Sequence, residues 1–408
     1  MSDDTSALQP AVPLIEDMAW CWWTQPRATL IGDEVYFGAI DSAGGIVAAS
    51  RNLKTGAVAR QRLAQFEPDD HNNPALLAVA GRPLLCFYSR HDAEEGLRYR
   101  ISQRPLDLSD WQAEQILTFG GSTTYAQVHQ VDDELHLFTR VDETRWSWRR
   151  SVDWAQSWAP PRDFLSFDTD QQVYMATALL ADGHTLRVAV SGHPKEYEKK
   201  PLHDVWACAV DLRTGAVTTA SDGRVLGNLR TGAGLPLDYS ALELVHRTPA
   251  DRTANLFDVG KGPAFEIGFV SKIKDDLSTR DARYHVTALR DGTWRTEDVV
   301  GAGGKFGYID AGLYVGGMAF PGPGRDGEVY LTREDHGLWH LELWRRDGDG
   351  SWTGTDLVTP TTTRLTRPWA VSPRTEPIAV VALALERYPD DSYYDTLSHL
   401  VGAPEPIR

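Results

Sequence analysis

The chain has 408 residues and a formal net charge of −16, with an isoelectric point of about 5.2. This acidity makes nucleic acid and anionic membranes unexpected partners, although one shielded basic pocket would still let an acidic saccharide bind. The length suggests two or three domains, but a closed all-β architecture can hold it in one. The three cysteines lie in apolar runs, which predicts buried thiols rather than disulfides: Cys21, Cys86 and Cys208.

The N-terminal sequence MSDDTSALQP lacks the basic and apolar regions of a secretory signal, so we expect a cytoplasmic protein. Residues 1–13 are expected to form a flexible N-terminal segment. No apolar run approaches the roughly 18 residues that a membrane-spanning helix needs.

Short alternating runs predict strands along the whole chain. In order they are EVYFGAI, GIVAAS, ELHLFTR, TLRVAVSG, FEIGFVS, YHVTALR, EVYLTR and WHLELWRR, each bounded by Gly, Asp or Pro. A turn signature also repeats, as in NLKTGAV, DLRTGAV and LRDGTW. Its markers are separated by 55, 47, 57, 79 and 58 residues: Gly56, Trp111, Trp158, Gly215, Trp294 and Trp352.

This spacing is typical of a four-stranded propeller blade with long loops. Six turns are visible, and the C-terminal strands RPWAV and PIAVVALALERY, with an N-terminal strand near WCWWTQPRATL, would complete a seventh blade. We therefore predict an all-β fold in which residues 1–408 form a single seven-bladed β-propeller, closed by N- and C-terminal strands. The alternative is a pair of β-sandwiches, which the recurring turns disfavour.

The stretch from Asp69 to Asp92 predicts a hairpin with polar ends. PALLAVA and PLLCFYS are apolar strands, and AGRP supplies the turn between them. His71 and His91 bracket the hairpin, twenty residues apart. Because antiparallel strands enter and leave a hairpin at the same end, we expect the two imidazoles to lie close together on a rigid scaffold.

An ordered series of motifs resembles the BNR-4 group of seven-bladed propellers. The motifs are WCWWTQPRA, DDHNNPALL, FYSRH, TYAQVHQ, VSGHP, YVGGMAF and ERYPDDSYYDT, and they cover nearly the whole chain. That group includes the ulvan lyases, the rhamnose–glucuronate lyases and a related α-L-rhamnosidase. The resemblance implies action on rhamnose–glucuronic acid linkages, but it does not choose between lyase and hydrolase.

β-Elimination of a uronide needs a cation or donor at the C6 carboxylate, a base for the C5 proton and an acid for the leaving oxygen. The lyases of the group carry two His, a Tyr and an Arg in the order found here. The resemblance therefore implies that His71 and His91 handle the proton or the carboxylate, Tyr125 acts as acid or base, and Arg140 neutralises the carboxylate. Which of His71, His91 and Tyr125 removes the C5 proton stays open.

Each of these residues also has a structural explanation. DDHNNP is typical of a polar turn in which Asp70 and Asn72 cap backbone amides. His91 would suit a solvated loop, Tyr125 a core or rim position, and Arg140 a surface ion pair. A second set of residues is expected to bind substrate: Asn72, Tyr174, His193, Arg27 and Arg367.

The sequence leaves metal binding undetermined, because HExxH, EF-hand and CxxC signatures are absent. The predicted chemistry needs no cofactor. Cys and His residues on neighbouring blades could meet in a structural metal site, and the resemblance implies a structural divalent ion, calcium or zinc. We predict a lyase that cleaves a bond to C4 of glucuronic acid in a uronic-acid-containing oligosaccharide or polysaccharide. The alternatives are an α-L-rhamnosidase that hydrolyses the same bond and a non-catalytic carbohydrate-binding propeller.

Overall fold

The computed structural model describes residues 8–91, 93–167, 172–192, 204–273, 282–303, 315–375, 378–387 and 397–404. In these ranges the chain is all-β, with short 3-10 turns at Asp70–Asn72 and Tyr239–Ala241. No helix in the described ranges has the length and apolar character needed to cross a membrane.

The first half of the described chain contains eighteen strands: β1 (Val12–Ile15), β2 (Ala28–Ile31), β3 (Glu34–Ile40), β4 (Gly45–Asn52), β5 (Val58–Gln65), β6 (Ala75–Leu77), β7 (Pro83–Tyr88), β8 (Glu95–Pro105), β9 (Gln115–Val131), β10 (Glu134–Val141), β11 (Arg145–Ser151), β12 (Arg162–Ser166), β13 (Val173–Leu179), β14 (Thr185–Gly192), β15 (Val205–Asp211), β16 (Ala216–Thr218), β17 (Val225–Asn228) and β18 (Glu243–His246).

The second half adds β19 (Arg252–Val259), β20 (Phe265–Ile273), β21 (Arg283–Arg290), β22 (Thr293–Gly301), β23 (Gly317–Ala319), β24 (Glu328–Asp335), β25 (Leu338–Arg346), β26 (Trp352–Asp356), β27 (Arg364–Thr375), β28 (Ile378–Arg387) and β29 (Leu397–Ala403). Each of the eight alternating runs quoted above falls within one of these strands, whereas PALLAVA and PLLCFYS extend beyond β6 and β7.

The strands form antiparallel meanders that surround one axis. Four described sheets have four strands each: β2–β5, β19–β22, β23–β26, and β27–β29 with β1. A fifth contains β13–β17 with β18, and a seven-stranded sheet runs from β6 to β12. The first strands of neighbouring sheets contact one another, as β2 does with β27, β13 with β19, and β23 with both β19 and β27. This arrangement is a β-propeller and excludes the pair of β-sandwiches.

The ring is closed by the two ends of the chain, as predicted, but with a different N-terminal strand. β1 pairs with β29, Val12 opposite Gly402 and Pro13 opposite Val401. The stretch WCWWTQPRATL leads instead into β2, the first strand of its own sheet. Of the segment 1–13 that was expected to be flexible, Val12 and Pro13 belong to this paired strand, and residues 1–7 lie outside the described residues.

Large aromatic and aliphatic side chains fill the space between the sheets. Trp20, Trp23 and Trp146 are almost fully buried. The three cysteines are free and buried, as their apolar surroundings predicted. The packed sheets hold the beginnings of the innermost strands rigidly around the axis, and the predicted site residues lie at that end.

Candidate active site

His71 and His91 lie against each other at the end of the predicted hairpin. β6 and β7 pair antiparallel, with the His71 turn entering the pair and His91 following its exit. The two imidazole rings are stacked, with centroids 4.2 Å apart and planes inclined by 9°. The structure thus brings together the two histidines that the sequence places twenty residues apart.

One carboxylate, Asp69, joins the two imidazoles. Its Oδ1 is 2.6 Å from His71 Nδ1 and its Oδ2 is 2.7 Å from His91 Nδ1. Asp69 also caps the turn, because Oδ1 accepts a hydrogen bond from the His71 backbone N–H at 2.9 Å. Because a carboxylate only accepts hydrogen bonds, each Nδ1 carries a proton and donates it to Asp69. Each Nε2 lies on the side of its ring that faces away from Asp69.

Electrostatics favour an ion pair between Asp69 and His71. Burial opposes ionisation of Asp69, but His71 and His91 together hold its pKa well below the usual range. Burial likewise opposes charging of His71, yet the Asp69 and Asp70 carboxylates raise the pKa of this imidazole well above 6.5. The raised pKa favours the protonated, cationic form of His71, with the carboxylates on its Nδ1 side.

Asp70 connects this cluster to the last sheet of the ring. Its Oδ1 is 3.0 Å from His71 Nδ1, and its Oδ2 is 2.5 Å from a guanidinium nitrogen of Arg367. Arg367 is 1% exposed, its guanidinium carbon lies 3.9 Å from the Trp22 ring centroid, and it donates to the Trp20 carbonyl. Arg367 was expected to bind substrate. In the structure it is buried and pairs with Asp70, on the Nδ1 side of His71.

Tyr125 and Arg140 complete the cluster from β9 and β10. The Tyr125 ring centroid is 5.8 Å from that of His71. The Arg140 guanidinium carbon lies 4.6 Å from the Tyr125 centroid and 5.3 Å from that of Tyr174. Trp23 stacks on Tyr174 with centroids 3.7 Å apart. All four predicted catalytic residues and Tyr174 therefore lie in one contiguous group.

The other residues expected to bind substrate have different positions. Asn72 is fully buried, and its amide accepts from the His91 N–H at 2.6 Å and donates to the Glu67 carbonyl at 3.1 Å, so it holds the His91 backbone in place. Arg27 is 1% exposed, with its guanidinium carbon 4.5 Å from the ring centroid of Trp369 in the last sheet. His193 lies outside the described residues.

Two participants were missed by the sequence analysis. Asp69 was not singled out, and its only local signal is its position two residues before His71 in DDHNNP. Cys21 was predicted to be an ordinary buried thiol, but its Sγ lies 3.9 Å from the Tyr125 hydroxyl, and its backbone N–H donates to Asn73. Burial raises the pKa of this thiol, so it contacts Tyr125 as a neutral group.

The cluster fits protons better than a metal ion. Asp69, His71 and His91 could supply three ligand atoms. Ligands around a tetrahedral zinc at about 2.0–2.1 Å stand roughly 3.3 Å apart, whereas the imidazole–carboxylate separations here are 2.6 and 2.7 Å.

A second potential metal group is formed by Cys21, Asp70 and His71. It adjoins the Arg367 cation, which repels a metal ion. Cys86 and Cys208 join no potential metal group among the described residues.

The fold and the clustered His, Tyr and Arg side chains define a β-propeller with a polar site at one end of its axis. The model of the BNR repeat-containing family matches residues 34–261, more than half of the chain. The chain therefore belongs to the BNR-4 family, which confirms the resemblance carried by the ordered motifs. A search of curated proteins gave no match.

Solved polysaccharide lyases share this fold. A PL25 ulvan lyase, solved free and bound to a saccharide of glucuronic acid 1,4-linked to rhamnose 3-sulfate, matches with a TM-score of 0.72 and 15% identity, over 97% of this chain and 96% of the lyase. The polysaccharide lyase Uly1 matches with a TM-score of 0.63 and 10% identity, over 99% and 94% of the two chains. At these identities the likeness establishes the common propeller fold.

Proposed function

We propose that this protein is a lyase that cleaves a bond to C4 of glucuronic acid in a rhamnose–glucuronate linkage. The observation that carries the proposal is the grouping of a cationic His71, an Asp69-linked His91, Tyr125 and Arg140 at one end of the axis. The group supplies the cations and proton carriers that uronide elimination requires. The lyase folds named above support the same chemistry.

In the proposed reaction a base removes the C5 proton, and its electron pair forms the C4=C5 double bond. The bond between C4 and the glycosidic oxygen then breaks, and an acid protonates that oxygen. The products are a 4,5-unsaturated uronate and a new hydroxyl end. Holding the C6 carboxylate against cations acidifies the C5 proton and stabilises the enolate-like charge that develops on the carboxylate.

We assign carboxylate neutralisation to His71 and Arg140. His71 bears positive charge because the carboxylates on its Nδ1 side raise its pKa, so it suits an anion better than it suits proton abstraction. His91 and Tyr125 are assigned to the two proton transfers. Asp69 fixes the His91 proton on Nδ1, which leaves Nε2 with the lone pair that a base needs.

Hydrolysis by a carboxyl pair is less well supported. A glycosidase normally needs one carboxyl group whose pKa is raised so that it can donate a proton. Burial opposes ionisation of Asp70, but Arg367 and His71 lower its pKa, and the histidines lower that of Asp69. Both adjacent carboxyls are therefore anions at neutral pH, which disfavours the α-L-rhamnosidase alternative.

We also propose that the propeller has seven blades. β9 pairs with β8 through Gln115–Leu117 and Ser122, and with β10 through Thr123–Val131. The seven-stranded sheet is thus two four-stranded blades that share one long strand. With the five remaining described sheets this gives seven blades. We further propose a cytoplasmic enzyme that acts on short acidic saccharides, needs no cofactor for the chemistry and binds neither nucleic acid nor membranes.

An ultraviolet assay with rhamnose–glucuronate saccharides tests the function. We expect the absorbance of an unsaturated uronate to grow with time, and product analysis to show the C4=C5 double bond. Free rhamnose with saturated glucuronate would establish hydrolysis instead. Saccharide binding without any product would establish a binding protein.

Variants of the proton carriers test the site. Tyr125→Phe and His91→Ala should each lower kcat by about 10²–10⁴-fold, because each removes a proton-transfer group, while saccharide binding is largely retained. Tyr36→Phe is the matched control, since the Tyr36 hydroxyl donates to the Leu106 carbonyl at 3.4 Å and Tyr36 belongs to a different part of the core from the cluster. Wild-type rates in both site variants would refute the assignment.

A further inference from the structure

A second polar region lies at the other end of the axis. The innermost strands run from the histidine site toward it: Tyr125 begins the inner part of β9 and His129 follows four residues later, roughly 13 Å further along the strand. A cavity of about 290 Å³ is lined there by residues that include Gln25, His129, Thr177, Lys261 and Trp369. An adjoining cavity of about 200 Å³ shares His129, Lys261 and Trp369. We call this region the axial cation cavity.

Two cations contact the ring of Trp369, which lines this cavity together with Lys261. The Lys261 ammonium lies 5.3 Å from the Trp369 ring centroid, and the buried Arg27 guanidinium contacts the same ring at 4.5 Å. Neither forms a salt bridge within 4 Å in the described part of the chain, and Arg27 Nε and Nη1 are buried without a hydrogen-bond partner there. A half-buried Lys261 and a buried Arg27 thus place positive charge beside the cavity, which a bound anion would compensate.

Among the described residues, Asp258 is the acidic side chain that acts electrostatically on both cations. Its Oδ2 accepts a hydrogen bond from the Phe320 N–H at 2.8 Å. Burial raises the pKa of Asp258 and lowers that of Lys261, and it lowers the pKa of Arg27 to about 10, so all three charged forms carry a desolvation cost. An oxyanion beside Lys261 would offset part of this desolvation cost.

Neutral polar groups next to the cations suit sugar hydroxyls. Burial lowers the pKa of His129 to about 3, so its imidazole is neutral. The His129 Nε2 is 2.9 Å from Thr177 Oγ1. The Thr177 hydroxyl itself donates to a glutamine side-chain oxygen, either that of Gln127 at 2.6 Å or that of Gln25 at 3.0 Å. Nε2 therefore carries the proton and donates to Thr177, which leaves Nδ1 as an acceptor.

We propose that the axial cation cavity binds the oxyanion of an acidic sugar unit, a carboxylate or a sulfate, with Lys261 as the principal charge partner. The larger cavity, of about 290 Å³, lies near the lower end of the roughly 300–1,000 Å³ that is usual for ligand sites. This volume suits one sugar unit rather than a saccharide chain. The inference is independent of the proposed lyase activity, because it uses none of the residues assigned to elimination.

Calorimetric titration with glucuronate, inorganic sulfate and neutral rhamnose tests the inference. Titrations use protein carrying Arg140→Met, so that carboxylate binding at the histidine end is weakened. In that background we expect saturable binding of glucuronate or sulfate that weakens with added salt, and no binding of rhamnose. Whichever of glucuronate and sulfate binds more tightly identifies the preferred oxyanion.

Lysine variants locate the binding. Added to the same background, Lys261→Met should weaken oxyanion binding at least tenfold, because it removes the charge and keeps the aliphatic stem. Lys261→Arg should retain binding, and Lys54→Met, at an exposed lysine paired with Asp33, should leave it unchanged. Melting temperatures check that each variant is folded. Absence of saturable binding, or equal affinities in the Lys261→Met and Lys54→Met proteins, would overturn the inference whatever the lyase assay shows.

Discussion

The Asp69 carboxylate connects two histidines that lie far apart in sequence. Residue types and motif order predicted His71, His91, Tyr125 and Arg140 as site residues, and the structure places the four side chains next to one another. Asp69 could not be predicted in the same way. Its importance depends on a contact with His91, twenty-two residues away, and in the local pattern DDHNNP it is typical of a turn cap, which it also is.

Replacing Asp69 by asparagine tests its role through the pH dependence of stability. The folded pKa of His71 is raised, so the pairing stabilises the fold fully below the unfolded His value of about 6.5 and is lost as the pH rises through the folded pKa. Asp69→Asn should therefore lower the free energy of unfolding by about 3–5 kcal/mol at pH 5.5, the usual cost of breaking a buried pair, and by less at high pH.

Denaturant unfolding of wild type and variant between pH 5.5 and 10 measures this difference. Asp33→Asn is the control, since Asp33 pairs with Lys54 on the surface, and it should change the free energy by less than about 1 kcal/mol throughout. A loss in Asp69→Asn that is constant with pH would mean that His71 is not charged in the folded protein.

At the scale of single strands, β-bulges aim two residues at the site. In the β9–β10 pair Tyr125 and Ala126 together oppose Thr139, and Tyr125 has a φ of 60°. In β27 Arg367 lies in a similar register shift with a φ of 51°. A bulge inserts one residue and redirects its neighbours. The sequence predicted the strands but not the bulges, because neither position carries the glycine that usually marks a positive φ.

The Tyr125 bulge depends on a hydroxyl that can be removed. Thr139 Oγ1 donates to the Thr124 carbonyl at 3.1 Å, and both residues are buried. Thr139→Val should destabilise the protein by about 1–3 kcal/mol, because a buried carbonyl loses its partner, and should lower kcat more than it raises KM, because Tyr125 is displaced. Thr139→Ser keeps the hydroxyl and should restore kcat. If the kcat of Thr139→Ser were as low as that of Thr139→Val, packing of the Thr139 methyl group, and not its hydroxyl, would position Tyr125.

At the scale of the whole molecule, the sequence predicted a closed propeller because each sheet repeats the same turns and apolar runs. It misplaced the closing N-terminal strand for a physical reason. WCWWTQPRATL is the most apolar stretch near that end, but its tryptophans pack against Tyr174 and Arg367 at the site. The strand that closes the ring is the short segment Val12–Ile15, whose pairing with β29 joins the two ends of the chain and leaves no periodic signal.

The closing strand offers a matched test of whether ring closure limits stability. Leu14 is 1% exposed in the core shared by the first and last sheets, whereas Val12 in the same strand is 42% exposed. Leu14→Ala should lower the free energy of unfolding by about 2–5 kcal/mol, because it leaves a cavity under β1. Val12→Ala should change it by no more than about 0.5 kcal/mol. Equal, small effects in urea unfolding would mean that β1 detaches before the ring opens and that the other sheets hold the propeller together.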